Sequence, residues 1–405
     1  MTYQTAIEWM FEQLPMYQRQ GQTAYKADLH NIIRLTAHLH HPEKKFHSIH
    51  IAGTNGKGSV CHMLASIFQE AGYKTGLHTS PHLKDFRERI KINGKMISEQ
   101  EVTHFIEEHK VFFKKHSCSF FEMSVGMAFD YFAREKVDIA LIETGLGGRL
   151  DSTNIIHPEL SIITNIGFDH MAILGDTLPQ IAFEKAGIIK PHTPVVIGQK
   201  NTETTPIFLK KAAAIEAPLY FAQEERYPHY PSDLTGAYQK ENQQTVLRSI
   251  AVLQKMGWKI PQRAIEKGLL QVIPNTGLNG RWQIIGENPK IICDTGHNKE
   301  GLSIVLTQLQ KESYTQLHIV LGVVADKKLD DILPLFPKEA TYYFAKAVVP
   351  RGLPADQLAA QARLQGLKGK VFSSVQEAFT AAKTSASPKD LIFVGGSTFT
   401  VAEVI

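Results

Sequence analysis

The chain is poor in cysteine, in charge of one sign and in long apolar runs. Its three cysteines, Cys61, Cys118 and Cys293, lie far apart in 405 residues and show no CxxC spacing. That argues against a disulfide framework and a zinc site, and points to a reducing cytosol. The 44 basic and 40 acidic residues leave a net charge of only +4. They form no stripe of the kind nucleic-acid binders use to displace phosphate counterions, so no nucleic-acid partner is expected. A modestly basic chain suits a small anionic substrate at least as well. No apolar stretch is long enough to span a bilayer. The first fifteen residues, MTYQTAIEWMFEQLP, carry Glu8 and Glu12 where a secretory signal has a basic start and an apolar run. A cytoplasmic protein with no membrane association is expected. Internal repeats and low-complexity tracts are also missing.

What is present is an ordinary globular composition, 43% hydrophobic and 21% charged, in a length that suits two domains. Short Ile- and Val-rich runs alternate with longer helix-like segments. The strand candidates are HSIHIAG (47–53), VDIALIE (137–143), LSIITNI (160–166), PVVIG (194–198), KIICD (290–294), LHIVLG (317–322), TYYFA (341–345) and LIFVGG (391–396). Runs apolar on both faces and separated by helices mark parallel sheets covered on both sides, so the fold class is α/β. The text PNTGLNGR at 274–281 reads as a linker. It divides the chain into an N-terminal domain, 1–276, and a smaller C-terminal domain, 277–405.

The first strand runs directly into Gly53-Thr54-Asn55-Gly56-Lys57-Gly58-Ser59 and then into a helical segment. Glycines let a backbone curl with its N–H groups turned inward, and the helix N-terminus adds partial positive charge. Lys57 can reach outer phosphates, and Ser59 can support a metal or a phosphate. The spacing is not the generic GxxxxGK[ST], since Gly58 intervenes between Lys57 and Ser59. A lone glycine-rich turn would carry no such meaning; three glycines, a lysine and a serine between strand and helix point to nucleotide phosphates.

This loop resembles the ATP loop of the Mur-ligase superfamily, and its form with the extra glycine is similar to the folylpolyglutamate synthase/dihydrofolate synthase branch. Further blocks match in order: TSPHL (79–83), ETGLGGRLDSTN (143–154), TNIGFDHMAILGDT with FEKAGIIKP (164–177 and 183–191), and a D-x-G-H-N block at 294–298. The resemblance spans most of the chain. It implies a P-loop ATPase-like, mostly parallel N-terminal sheet with helices on both faces, followed by a Rossmann-like C-terminal domain.

An enzyme that makes an amide from a carboxylate must first turn a carboxylate oxygen into a leaving group. ATP does so by phosphorylation, and metal ions neutralise the charge that develops. Such a site asks for hard oxygen ligands with one or two nitrogens. Glu143 closes a strand and His170 follows another, both at carboxyl ends that open onto a ligand crevice. By resemblance, Ser59, Ser80, Glu143 and His170 would hold magnesium. Lys185 would be carbamylated and ligate a second ion, which requires a pKa low enough to expose a neutral amine. The resemblance also sets Phe121 and Glu122 on the folate side, with Asp151 near the pteridine or its para-aminobenzoyl neighbour.

Gln239 and Asn242, at helical spacing in GAYQKEN, match the family residues that approach the adenine. Arg281 matches the arginine on the ATP phosphates, a task suited to its planar fork. In the 294–298 block, Asp294 would bind ribose, and His297 would position the γ-phosphate or the incoming glutamate. Thr295 and Gly296 stand there where the family carries Gly and Ala. Ser397 matches a late serine near the glutamate site, although the tail around it departs from the family's Leu- and Tyr-rich form.

The resemblance therefore implies ligation of L-glutamate to dihydropteroate and to folate γ-carboxylates through an acyl phosphate, with ATP and two Mg2+. Lys57, Lys185, Arg281 and His297 would be the working residues, and the protein a monomer acting on small molecules. A site drawing on both domains would exclude water from the acyl phosphate. Polyglutamylation alone is the nearest alternative. A cell-wall Mur ligase would carry another domain ahead of the ATP loop, for which the residues before Gly53 leave no room. A P-loop switch ATPase with a protein partner would have no use for Arg281, Asp294 and His297.

Overall fold

The structure, a computed structural model, describes residues 1–13 and 28–405. Two compact units divide them: the residues up to Asp233 with Gln239–Leu278, and Leu234–Tyr238 with Asn279–Ile405. No helix among the described residues is long and apolar enough to cross a membrane.

The first unit is built on strands β1 (His47–Ala52), β2 (Thr75–His78), β3 (Ile90–Ile92), β4 (Lys95–Met96), β5 (Ile139–Glu143), β6 (Leu160–Ile163), β7 (Val195–Ile197) and β8 (Leu219–Phe221). Their order across the sheet is β4-β3-β2-β5-β1-β6-β7-β8. Neighbours from β2 to β8 are parallel, while β3 pairs antiparallel with both β2 and β4. β1 pairs with β5 on one side and β6 on the other, with Ile51 opposite Glu143. The chain thus reverses its direction of travel at β1, and in an open α/β sheet that reversal opens a crevice beyond the carboxyl ends of the strands.

Helices cover both faces of this sheet. On one, Tyr3–Gln13, His30–His38, Glu99–His116 and Phe120–Arg134 bring Met10, Leu35, Phe113, Phe129 and Phe132 onto Ala140 and Ile142 of β5. On the other lies Lys57–Glu70, whose residues from Ser59 to Phe68 are all buried. A helix apolar all round is one with neighbours all round; besides the strands, its neighbours are Gln239–Lys255 and Gln262–Leu270. Contact with the latter is close: a Cβ on Gly268 would stand 2.6 Å from Ile67 Cα, and Ser66 Oγ donates to the Gly268 carbonyl at 2.6 Å. The short helix Val272–Thr276 follows. Its Thr276 accepts from His62 at 2.7 Å and gives its carbonyl to Lys91 Nζ at 2.8 Å.

The second unit carries β9 (Gln283–Glu287), β10 (Lys290–Cys293), β11 (Leu317–Leu321), β12 (Thr341–Phe344), β13 (Lys368–Val371) and β14 (Leu391–Gly395). Their order is β13-β12-β11-β14-β10-β9, parallel except for β9. One face buries Trp282, Leu306, Phe336 and Leu358, the other Val375, Phe379 and Val401. Here β14 inserts between β10 and β11, so the reversal falls beside the ends of β10 and β14. All eight strand segments singled out in the sequence contain strands. Six more exist among the described residues, each short or at an edge or antiparallel, and two domains with mostly parallel sheets are the result.

Candidate active site

The loop after β1 owes its shape to residues that follow β6 as much as to its own glycines. Thr54 N donates to the Asn165 carbonyl at 2.9 Å and Asn55 N to Asn165 Oδ1 at 2.8 Å. Thr164 Oγ1 donates to the Asn55 carbonyl at 2.6 Å and would stand 1.8 Å from a Cβ on Gly53. Gly56 caps the helix Lys57–Glu70 with φ +84° and offers no side chain to it. The amides of the first helical turn have no intrahelical acceptor, so they remain for an anion, and the loop fits a nucleotide's phosphates.

Two lysines converge on one backbone oxygen of this loop. Lys57 Nζ reaches the carbonyls of Gly53 (3.1 Å) and Thr54 (3.2 Å). Lys185, from the helix Leu178–Ala186, donates to the Gly53 carbonyl at 2.9 Å. Lys185 is 4% exposed. Burial first, and the Lys57 ammonium second, push its amine down to about 7, against the pull of Asp169 and Asp151.

The other expected metal ligands lie at strand ends. Glu143, buried at the end of β5, accepts from the Ser80 backbone N–H at 3.1 Å, so these two meet. His170 stands in a separate loop with φ 51°. Its backbone N–H is held by Asp169 Oδ1 at 2.9 Å, and its Nε2 lies 3.8 Å from Asp169 Oδ2. Among the described residues no three His, Cys, Asp or Glu side chains converge. Glu143 beside Ser80 is a hard oxygen donor of the kind magnesium takes, one carboxylate with the rest of the shell left to water and phosphate oxygens.

In the glycine-rich stretch after β5, Asp151 is buried and works on the chain itself. It accepts from Leu146 N (2.8 Å), Thr153 N (3.0 Å) and Thr153 Oγ1 (2.5 Å), tying both ends of the loop together. Burial raises its pKa in spite of these donors. Phe121 lies against Gly145, whose Cβ would come within 2.5 Å of the ring. Glu122, by contrast, forms a capping box with Ser119, its Oε2 accepting from Ser119 N at 2.6 Å. Its carboxylate serves the helix start.

Gln239 and Asn242 share a helix face and are hydrogen-bonded, Asn242 Nδ2 donating to Gln239 Oε1 at 2.8 Å. Gln239 is 3% exposed, and its Nε2 donates to Ser59 Oγ at 3.1 Å. It therefore stands behind Asn242, on the phosphate loop.

In the second unit, Asp294 is buried at the end of β10 and accepts from Tyr238 Oη (2.6 Å), Gly296 N (2.7 Å) and Trp282 N (2.8 Å). Burial raises its pKa against those donors. Arg281 binds the Thr295 hydroxyl and the Gly280 carbonyl at 3.2 Å. Thr295, one of the two residues that depart from the family text, thus anchors the arginine. His297 Nδ1 lies 3.0 Å from the Thr295 carbonyl, and Asn298 caps the next helix. Ser397 Oγ accepts from Thr400 N at 3.1 Å and caps Thr398–Ala402.

Thr164, Asn165, Asp169 and Tyr238 shape these loops and were not singled out in the sequence. The first three follow β6, whose carboxyl end is the same kind of position that pointed to Glu143 and His170. Tyr238 carried no such signal.

Comparison with known proteins adds names to this geometry. The Mur ligase middle domain matches residues 51–254, and the Mur ligase glutamate ligase domain matches 280–398. A Bacillus subtilis dihydrofolate synthase/folylpolyglutamate synthase is 33% identical over 388 residues, covering 88% of each chain. A Haloferax volcanii probable bifunctional folylpolyglutamate synthase/dihydropteroate synthase is 30% identical along the whole chain, which spans only 50% of that longer protein. Among solved structures, Escherichia coli FolC in complex with DHPP and ADP superposes with a TM-score of 0.88 at 28% identity, covering 100% of this chain and 97% of that one. A bifunctional folylpolyglutamate synthase/dihydrofolate synthase with Mn, AMPPNP and L-glutamate bound gives 0.85 at 27%, with coverage of 100% and 97%.

Proposed function

The chain belongs to the Mur ligase family, in company with the dihydrofolate synthase/folylpolyglutamate synthases, and from that premise we propose how its residues carry an ATP-dependent ligation of L-glutamate. The acceptors are dihydropteroate, giving dihydrofolate, and the γ-carboxylate of tetrahydrofolate glutamates. The observation that carries the reading is the convergence of Lys57 and Lys185 on the Gly53 carbonyl of a phosphate loop.

The amides of the first turn of Lys57–Glu70 bind the phosphates, and Lys57 leaves its loop carbonyls to meet the outer ones. The substrate carboxylate attacks the γ-phosphorus, ADP departs, and an acyl phosphate forms. Arg281, held by Thr295, stabilises the transferring phosphoryl group. The glutamate amine then attacks the acyl carbon and phosphate leaves. Asp294 takes the ribose, His297 positions the γ-phosphate or glutamate, and Ser397 borders the glutamate site. Phe121 lies on the folate side, and Asp151 keeps the loop beside it in shape.

Magnesium would be held by Ser59, Ser80, Glu143 and His170, with a second ion on a carbamylated Lys185, and would screen the phosphate oxygens. The carbamate forms when neutral Nζ adds to the carbon of CO2 and releases one proton. A buried amine pushed down to about 7 is suited to that addition.

The test is glutamate-dependent phosphate release with ATP and Mg2+, offering dihydropteroate and tetrahydrofolate separately. Turnover with both supports the two activities, and turnover with tetrahydrofolate alone reduces the reading to polyglutamylation. Hydrolysis that ignores glutamate would sink it and favour a switch ATPase.

A further inference from the structure

Gln239 opens the helix Gln239–Lys255 and is hydrogen-bonded at both ends of its amide. Nε2 donates to Ser59 Oγ at 3.1 Å, and Oε1 accepts from Asn242 Nδ2 at 2.8 Å. The three side chains are almost closed to solvent, Ser59 at 1%, Gln239 at 3% and Asn242 at 8% exposure. A buried amide that loses its partner cannot turn to water for another. Each orientation in the row therefore depends on the next.

With Nδ2 committed to Gln239, Asn242 presents its oxygen. Oδ1 lies over Gly56 of the phosphate loop, 2.3 Å from where a Cβ would be. An amide oxygen accepts hydrogen bonds only. It pairs with the 6-amino group of adenine, while a 6-oxo purine brings acceptor against acceptor. For Asn242 to turn and present nitrogen, Gln239 must turn as well, and the Ser59 hydroxyl must change from acceptor to donor. A wrong base is thereby felt at the phosphate loop.

We propose that Gln239 is a specificity and positioning residue, holding Asn242 with its oxygen toward the nucleotide base and fixing the Ser59 hydroxyl through the same amide. The inference deepens the ligase reading and rests on it for the placing of the adenine at Asn242. Selection of the base and placement of a phosphate-loop hydroxyl are then one linked event.

Two variants separate the two halves. Gln239→Leu removes both hydrogen bonds and frees Asn242 to turn. In Gln239→Glu the carboxylate still accepts from Asn242 but has no N–H for Ser59. Binding is read by displacement of a fluorescent ATP analogue with ATP and with inosine triphosphate, and catalysis by glutamate-dependent phosphate release. The wild type should bind ATP at least about tenfold more tightly than inosine triphosphate, the difference one hydrogen-bond mismatch makes. Gln239→Leu, shown to be folded by its melting curve, should bring the two within about threefold. Gln239→Glu should keep the binding ratio and lose about tenfold in kcat. A wild-type ratio in Gln239→Leu, a lost ratio in Gln239→Glu, or an unchanged kcat in Gln239→Glu overturns the proposal. The binding arm needs no ligation, so a wild type without glutamate-dependent turnover counts against the ligase reading and leaves the binding ratios to decide this one.

Discussion

Lys185 Nζ donates a 2.9 Å hydrogen bond to the Gly53 carbonyl, across 132 residues of sequence. An amine in that position is held near neutrality by burial, and a charge-dependent stability follows. Below about pH 7 the folded and unfolded chains both carry the proton, and the full cost of burying the ammonium is present. As pH rises above about 7 the folded form has lost a proton that the unfolded form still keeps, and stability increases. Lys185→Met should therefore raise the melting temperature near pH 6, on the order of a few kcal/mol in stability, with the gain shrinking toward pH 10. Thermal melts in CO2-depleted buffer at both pH values would show it. A variant that melts lower than wild type at pH 6 would contradict the assignment.

The same amine gives ligation an acid limb. A protonated Lys185 cannot add CO2, so turnover should fall as pH drops through about 7. Depleting CO2 should lower the rate at neutral pH and bicarbonate should restore it. A rate indifferent to bicarbonate after thorough depletion would remove the carbamate from the mechanism.

Glu143→Gln keeps an oxygen for the Ser80 amide and loses the charge. Ligation should fall about a thousandfold, since a carboxylate on a metal supplies several kcal/mol of charge stabilisation. The melting curve should barely move. A large loss of stability together with near-normal kcat would make Glu143 a structural residue.

Gly56→Ala places a Cβ 2.3 Å from Asn242 Oδ1 on a residue with φ +84°. The left-handed backbone alone costs a non-glycine residue roughly 1–2 kcal/mol. ATP binding, measured by calorimetry, should weaken by about tenfold or more; unchanged affinity would show that the loop can move away from Asn242.

Ser397 offers a choice between two roles. As the cap of Thr398–Ala402, its change to Ala should cost about 1 kcal/mol, and its change to Gly only a few tenths. If it also borders glutamate, both variants should raise KM for glutamate about fivefold, whatever their melting curves. A KM that moves only in the less stable variant would reduce Ser397 to a cap.

Buried central strands were legible because they are apolar on both faces and spaced by helices: β1, β5, β6 and β11 each declare themselves in this way. β4, two exposed residues, and β13, with its exposed Lys368 and Lys370, carry no such signal. Their pairing comes from a neighbouring strand. The loop Gly53–Ser59 was legible as chemistry because glycine, lysine and helix start coincide in seven consecutive residues. The partners that hold it were less so. Thr164 and Asn165 act from the loop after another strand, and Gln239 reaches Ser59 from 180 residues away. Hydrogen bonds of that span leave no mark in local spacing. Glu122 shows the opposite limit, since an acidic residue three positions after Ser119 is a capping signal in its own right.

The contact between Gly268 and Ile67 lies about 15 Å along the helix from Lys57, at 1.5 Å per residue. There the helix is bolted in place: a glycine lets two backbones touch, and Ser66 pins them with a 2.6 Å hydrogen bond. The loop is thus one end of a short beam held at both ends, by Asn165 and Gln239 at the tip and by Gly268 at the root. A larger residue at Gly268 would tilt the beam and misaim its tip, so resistance or attenuation alleles of this protein could arise at a position that touches neither nucleotide, metal nor folate.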